Sequence, residues 1–427
     1  MARKMKPSGV DWAGDVPSNW NVSRLKNLTS IVGRGQSPNY SDDTSYMVVG
    51  QRCLAKYKLN MAKARACIAF EGSKGTFQNN DILFASTGDG TLGKCVIAPH
   101  AGSCDGHVTI IRFKDAMHGH LFWYWASVNF EYINTNWAKG ATKQIELQRK
   151  ELLAHHMLIP GGIELDKLLN YLDERTTTID SKIQLLQEKV TALSDLRKSL
   201  IHQAVTKGLD LNVKMKPSGV DWIGDIPAHW DILRGKNILQ YKKKLNHDRK
   251  HTRIWSLTLN GVRENNPDKP IGMVPSDYGT YQLFEQGDFV FKLIDLENYQ
   301  TSRFGILPGP GIMSSAYMRM QVKKGMSDYL KWVFLDMWRL AVFNALGSNG
   351  VRSNLTYSDM YGMMYAFPTL LEQAAIAEYL NKRVVIIDDS IKTITEQITA
   401  LKSLRQSLIH EAVTGKINVA DFGYKTT

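Results

Sequence analysis

The chain carries one frame twice. Met5 to Pro17 reads MKPSGVDWAGDVP, and Met215 to Pro227 reads MKPSGVDWIGDIP; RKSLIHQAVT from Arg197 to Thr206 returns as RQSLIHEAVT from Arg405 to Thr414. A near-identical frame recurring after about 210 residues demands two copies of one large unit joined head to tail. What lies between is not repeated, because residues 20–160 and 230–368 share only scattered positions. A chain that duplicates its frame and varies its middles is built to hold two different readers.

The order along the chain follows. A repeated segment (1–19) precedes a first variable domain (20–160) and a long helix (161–210). The second copy of the repeated segment (211–229), a second variable domain (230–368), a second long helix (369–418) and a tail (419–427) complete it. With 427 residues and 43% hydrophobic content, two cored domains are affordable in length alone.

From Ile163 to about Thr206 there is no Pro or Gly, and apolar residues recur at alternating steps of four and three. The stripe takes in Leu172, Ile179, Ile183, Leu186, Val190 and Leu193. A shift of 208 positions gives Leu380, Val384, Ile387, Ile391, Ile394, Ile398 and Leu401, and the interruptions at Arg197 and Arg405 coincide. Such a seven-residue rhythm is a coiled-coil seam. Thr369 to Glu372 fits a capping box, and Gly208 and Gly415 stand where left-handed caps are expected. At 1.5 Å per residue each helix would run on the order of 65 Å, longer than one domain core needs. The simplest partner for one stripe is the other, antiparallel; packing of each helix on its own domain is the competing arrangement.

Both variable segments alternate short β-type runs with Gly and Pro breaks. TSYMVVG, NDILFAST, KCVIAP and HVTIIRF read as strands in the first; RIWSLTL, GDFVFKL, RFGILP and AYMRMQV do so in the second. Each then offers one amphipathic helix, around Leu121 to Ile133 and Tyr329 to Leu346, and a last strand ending at Pro160 or Pro368. The fold class is therefore α+β: two recognition domains of curved, mainly β sheet plus helices, separated by two long helices in an antiparallel coiled coil with an internal pseudo-twofold repeat. The aromatic run FWYWASVNFEY from Phe122 to Tyr132 has the flat side chains that stack on nucleobases. Its helical spacing inside an apolar element favours a core role, as for Trp332, Phe334 and Trp338.

A formal net charge of +12 favours a polyanionic partner. The chain has no uninterrupted apolar run of transmembrane length, and MARKMKPSGV lacks the apolar core of a signal peptide, so no membrane partner and a cytoplasmic location are expected. Candidate DNA contacts are the polar residues that fall at matching places. Gln51 and Arg52 follow a strand and a glycine, as does Arg263; Lys143 and Gln144 follow the domain helix, as do Arg352 and Asn354. Such side chains pair with guanine or adenine edges or hold phosphates. Lys242, Lys243, Lys244 and Arg249, in a stretch whose one local acid is Asp248, would attract phosphate with strong salt dependence.

Catalytic patterns fail on inspection. Gly88 to Lys94 matches a phosphate-binding loop until Cys95 replaces the required Ser or Thr, and Val96 to Pro99 reads as a strand where a helix is needed. No cofactor fingerprint, no acidic-Pro-Pro-aromatic methylation motif and no nuclease-type acid and lysine cluster is present. Cys53, Cys67, Cys95 and Cys104 have gaps that match no paired metal-ligand spacing, so neither a metal nor a catalytic residue is expected.

Taken together, PSGVDWxGxxPxxW before each variable domain, the closing Pro368-Thr-Leu-Leu-Glu372-Gln373 and the twin heptad helices ending in RxSLIHxAVT resemble the specificity subunit of type I restriction-modification enzymes over about residues 5 to 418. The first helix departs from that pattern, opening Pro160-Gly-Gly-Ile-Glu164 without the Glu-Gln pair. The resemblance implies a non-catalytic targeting subunit. Two target recognition domains would each read half of a split, asymmetric site in double-stranded DNA, and the helices would set the spacer. It further implies two docked modification subunits carrying S-adenosylmethionine, and restriction subunits using ATP and Mg. A standalone two-domain DNA-binding regulator would share the basic charge and internal symmetry, and an enzyme with a hidden active site would differ by transferring methyl groups alone.

Overall fold

The computed structural model describes residues 3–419 except 11, 56–57, 89, 141–144, 260, 267–276, 300 and 347–353. The chain forms two compact units that cut across its linear order: Met1–Leu186 with Glu396–Thr427, and Gln187–Thr395.

In the first unit a four-stranded antiparallel sheet has the order Cys95–Ile97, Ile82–Ala85, Val108–Phe113, Thr29–Arg34. Every residue of Ile82–Ala85 is buried, and the period-2 geometry of a strand explains how. Ile82 and Phe84 enter one core with Leu121, Phe122 and Trp125 of the helix Ala116–Val128, whereas Leu83 and Ala85 enter a second core with Val49, Phe77 and Cys104. The second core lies under another four-stranded sheet, ordered Arg65–Ala66, Met47–Val49, Gly102–Cys104, Thr76–Phe77.

The second unit repeats the first of these sheets strand for strand, in the order Leu239–Lys242, Met318–Val322, Phe289–Phe291, Phe304–Ile306. Phe289 and Phe291 again face the helical core while Val290 faces the other, with Trp255 and Phe284. Its second layer differs, consisting of two separate ribbons, Trp255–Thr258 with Gly261–Glu264 and Gln282–Phe284 with Gly311–Met313. The single helix expected in each domain is in fact two. In the first unit the break is Asn129, whose side-chain amide donates to Trp125 O at 2.7 Å. In the second it is Leu340 and Ala341, the latter in a left-handed conformation at φ +54°. The aromatic run is core: Phe122, Tyr124 and Trp125 are buried, as are Trp332 and Phe334, while Trp338 is half-buried.

The long helices run Gly162–Lys207 and Leu370–Val413. Their burial follows the seven-residue rhythm, with Leu172, Ile183, Leu380, Val384, Ile387, Ile394 and Ile398 buried and Ile179, Leu186, Val190, Leu193, Ile391 and Leu401 half-buried. In one unit Arg405 reaches Asp180 across the helices, with Nε 2.9 Å from a carboxylate oxygen; in the other Arg197 forks onto Asp388 at 2.6 and 3.0 Å. As the first helix advances from Asp180 to Arg197 the second retreats by as many residues from Arg405 to Asp388, which is antiparallel register. The two arginines that interrupt the apolar stripe are thus cross-helix ion pairs, and each aspartate is the other's equivalent at a shift of 208. The competing arrangement is also realised at the helix starts. Leu165, Leu168, Leu169 and Leu172 join the first unit's core together with Ile409, Ala412 and Val413, and Ile376, Ala377, Leu380 and Val384 join the second with Ile201, Ala204 and Val205.

The repeated frame folds identically in the two units. Met5–Pro7 pairs with Asp15–Pro17, and Met215–Pro217 with Asp225–Pro227, in the same register. Trp20 and Trp230 are buried, and each indole N–H donates at 2.9 Å to a glutamate near the start of a long helix, Glu164 and Glu372. The missing Glu-Gln pair at the first helix is therefore half restored: Glu164 does the work of Glu372, and buried Leu165 stands where Gln373 accepts from Met326 N–H. The capping box forms, with Thr369 and Glu372 exchanging side-chain to backbone hydrogen bonds. Gly208 and Gly415 adopt φ +77° and +73°, and a Cβ on Gly415 would lie 2.3 Å from Pro17 Cδ.

Candidate nucleic-acid interface

In the first unit, the chain leaves the strand Met47–Val49 through Gly50 into a short turn, Gln51–Cys53. A Cβ at Gly50 would sit 2.7 Å from Asp105 Oδ2, so a side chain there would have to displace that carboxylate. Asp105 is buried, and desolvation raises its pKa against the pull of the His107 N–H and ring. Arg52 is exposed and has no ion-pair partner among the described residues; Gln51 is half-buried, accepting at 3.1 Å from Thr87 Oγ1. Thr87 lies in the loop 86–94 that joins the central strand Ile82–Ala85 to the edge strand Cys95–Ile97, and three glycines of that loop have positive φ. The hairpin of Ala138–Lys139 and Glu146–Leu147 closes against the same loop, with Gly88 N–H on Ile145 O at 3.0 Å and Leu147 N–H on Ser86 O at 2.9 Å. Lys143 and Gln144 lie outside the described residues; the strand Glu146–Leu147 meets the same loop at Thr87, whose hydroxyl donates to Gln51. The loop is followed by the strand Cys95–Ile97 rather than a helix, in line with its rejection as a nucleotide site.

In the second unit the basic stretch is less available than its composition suggests. Arg249, held at φ +52°, is claimed by Asp277 through two hydrogen bonds of 2.8 and 3.0 Å; Lys250 pairs with Asp248, and Arg253 with Glu264 at 2.8 Å. Two of these acids lie outside the basic stretch, so counting Asp248 alone overstated the free charge. Lys243 and Lys244 remain exposed without ion pairs among the described residues, and Lys242 is half-buried at the end of an edge strand. Arg263 is exposed on Gly261–Glu264, whose Val262 lies against Gly305 of the opposite edge strand. Asn354 bridges to Ile294 in the loop between Phe289–Phe291 and Phe304–Ile306; Arg352 lies outside the described residues. Arg263 thus lies beside the edge strand Phe304–Ile306 and Asn354 beside the loop that precedes it, and the lysines follow the opposite edge strand.

Sequence reasoning missed Thr87, His107 and Arg303. Arg303 is fully buried, and its guanidinium donates to the carbonyls of Lys292, Ile294, Asp295 and Asn298, tying the loop from inside. Among the described residues no three His, Cys, Asp or Glu side chains converge to hold a metal, and the four cysteines are buried free thiols, with burial pushing Cys95 up to about 12. No helix among them is long and apolar enough to cross a membrane.

No protein-family profile matches the chain. A protein of Methanocaldococcus jannaschii, named as the specificity subunit of the type I restriction enzyme MjaX, is 20% identical over 430 residues that cover 95% of each chain. The chain is similar end to end to a type I specificity subunit. Its fold agrees: a chain from a structure concerning complex assembly and conformational transition of the type I restriction-modification system superposes with TM-score 0.68 at 12% identity, covering 94% of this chain and 99% of that one. The HsdS subunit of Thermoanaerobacter tengcongensis gives 0.49 at 12% identity, covering 94% and 98%.

Proposed function

We propose that this chain is the DNA-reading specificity subunit of a type I restriction-modification complex. The observation that carries the reading is the contrast within each unit: a frame repeated down to the Trp to Glu hydrogen bond, and central loops built from different residues. Two unlike heads on like frames read an asymmetric, split site, one half each. The antiparallel helices set the unread spacer and offer docking ground for two modification subunits, which bring S-adenosylmethionine. Restriction subunits with ATP and Mg join that assembly. The chain itself supplies the address, through Arg52 and Gln51 in one head and Arg263, Asn354, Lys243 and Lys244 in the other.

Co-expression with its modification subunit in a host free of other DNA methylation tests this. Sequencing of methylated bases is expected to return one split, asymmetric motif. Random methylation, or a single unsplit motif, would overturn the reading.

A further inference from the structure

In the first unit three side chains from three distant segments form one hydrogen-bonded line. His107 Nδ1 lies 2.9 Å from Thr87 Oγ1, and Thr87 Oγ1 lies 3.1 Å from Gln51 Oε1. Both ends are anchored. The backbone N–H of His107 donates to Asp105 Oδ1 and its carbonyl accepts from Ser86, while Gln51 sits in the turn fixed by Gly50. Thr91 stands close by, but its hydroxyl is 2.7 Å from Thr87 O and 3.5 Å from Gln51 Oε1, so its proton is committed to the backbone.

Thr87 has a single hydroxyl proton, and this decides the polarity of the whole line. Given to Gln51 Oε1, it leaves Thr87 to accept from His107 Nδ1–H. Gln51 then uses its carbonyl within the line and keeps its amide N–H groups, and His107, with its ring proton on Nδ1, keeps Nε2 as an acceptor. Neither end has a further partner among the described residues, His107 is exposed, and Arg52 stands next to Gln51 with its own donors free.

Resting on the specificity-subunit reading, we infer that the His107–Thr87–Gln51 line is a base-reading element of the first half-site, with Thr87 as its positioning residue. Gln51 and Arg52 offer donors together, which suits the O6 and N7 acceptors of guanine; His107 Nε2 accepts from the exocyclic amine of a neighbouring cytosine or adenine. The two ends carry opposite hydrogen-bonding character because one proton links them, so a change at Thr87 disturbs both readings at once.

The test uses the assembled complex with its modification subunits and measures binding to duplexes in which each base of the mapped site is replaced in turn. Thr87→Val keeps the shape and removes the proton; the expected result is a drop of about tenfold in base preference at two positions of one half-site, with the other half unchanged. Thr87→Ser restores both preferences. If Thr87→Val fails to fold, Gln51→Leu serves, with preference lost at the guanine and weakened at its neighbour, because the Thr87 proton is then free to turn to His107 Nδ1. Unchanged preferences in folded Thr87→Val or Gln51→Leu, or equal loss in both half-sites, would overturn the inference while the wild-type split motif stands. Absence of any split motif for the wild type would instead remove the reading beneath it.

Discussion

The loop that leads from a central strand to an edge strand of the helix-backed sheet is pinned from the side in one domain and from within in the other. Residues 86–94 are held by hydroxyl, amide and imidazole groups that stay partly open to solvent. The equivalent loop of the second domain, between Phe291 and Phe304, wraps around a fully buried guanidinium. The sheet beneath is the same in strand order, and the frame beside it is the same in register. What differs is how the exposed end is braced and how the second layer is built, while the helix-backed sheet and the frame are shared. A fold divided in this way can change its exposed end without renegotiating the core beneath it.

The sharpest way to break the comparison is Arg303→Met. Four carbonyls would lose their donor inside the protein, and a cost of about 3–5 kcal/mol is expected in denaturant unfolding, with loss of the second half-site and retention of the first. A cost below about 1 kcal/mol would mean that the loop is braced elsewhere.

The frame should answer alike in both units. Burial alone would raise the Glu372 carboxyl, but hydrogen bonds from Trp230, His229 and Thr369 outweigh that and hold it at about 2; in Glu164, burial is likewise outweighed by Trp20, Asn19 and Arg3, which lower it. A carboxyl lowered on folding adds stability above its ordinary value of 4.5, and that stability is lost as pH falls toward 2. Glu372→Gln should therefore cost about 1 kcal/mol near neutral pH and flatten the acid limb of the stability profile, and Glu164→Gln should do the same in kind. Opposite responses would separate the two frames.

The smallest effect separates free from spent charge. Lys243→Ala is expected to reduce the slope of log affinity against log salt by about one, as for an unspent cation facing phosphate. Arg249→Ala should change the slope less, because Asp277 already neutralises it.

Much of this was legible. Period 3.5 marked both long helices, and period 2 or short apolar runs marked the central strands, because burial imposes those rhythms directly on sequence. Glu164 was misjudged because it was sought within a motif; counted from the 208-residue shift it falls on Glu372. Arg197 and Arg405 stood out as interruptions, while their partners Asp388 and Asp180 did not, since an aspartate on a solvated helix face is unremarkable until the other helix is placed. The same limit hid Asp277, which lies 28 residues from Arg249, and Thr87, whose two partners lie 36 and 20 residues away. Polar networks close through space and leave no period.

The first unit joins Met1–Leu186 to Glu396–Thr427. During synthesis its early part must therefore wait for a strip of helix made after about 210 further residues, a delay of roughly 10–40 s at typical translation rates. The other unit is continuous in sequence and can close as it emerges. The half of the molecule that is made first is thus the last to be finished, and through that interval Leu165, Leu169 and Leu172 have yet to meet Ile409 and Val413, leaving the nascent chain in need of shelter at that surface.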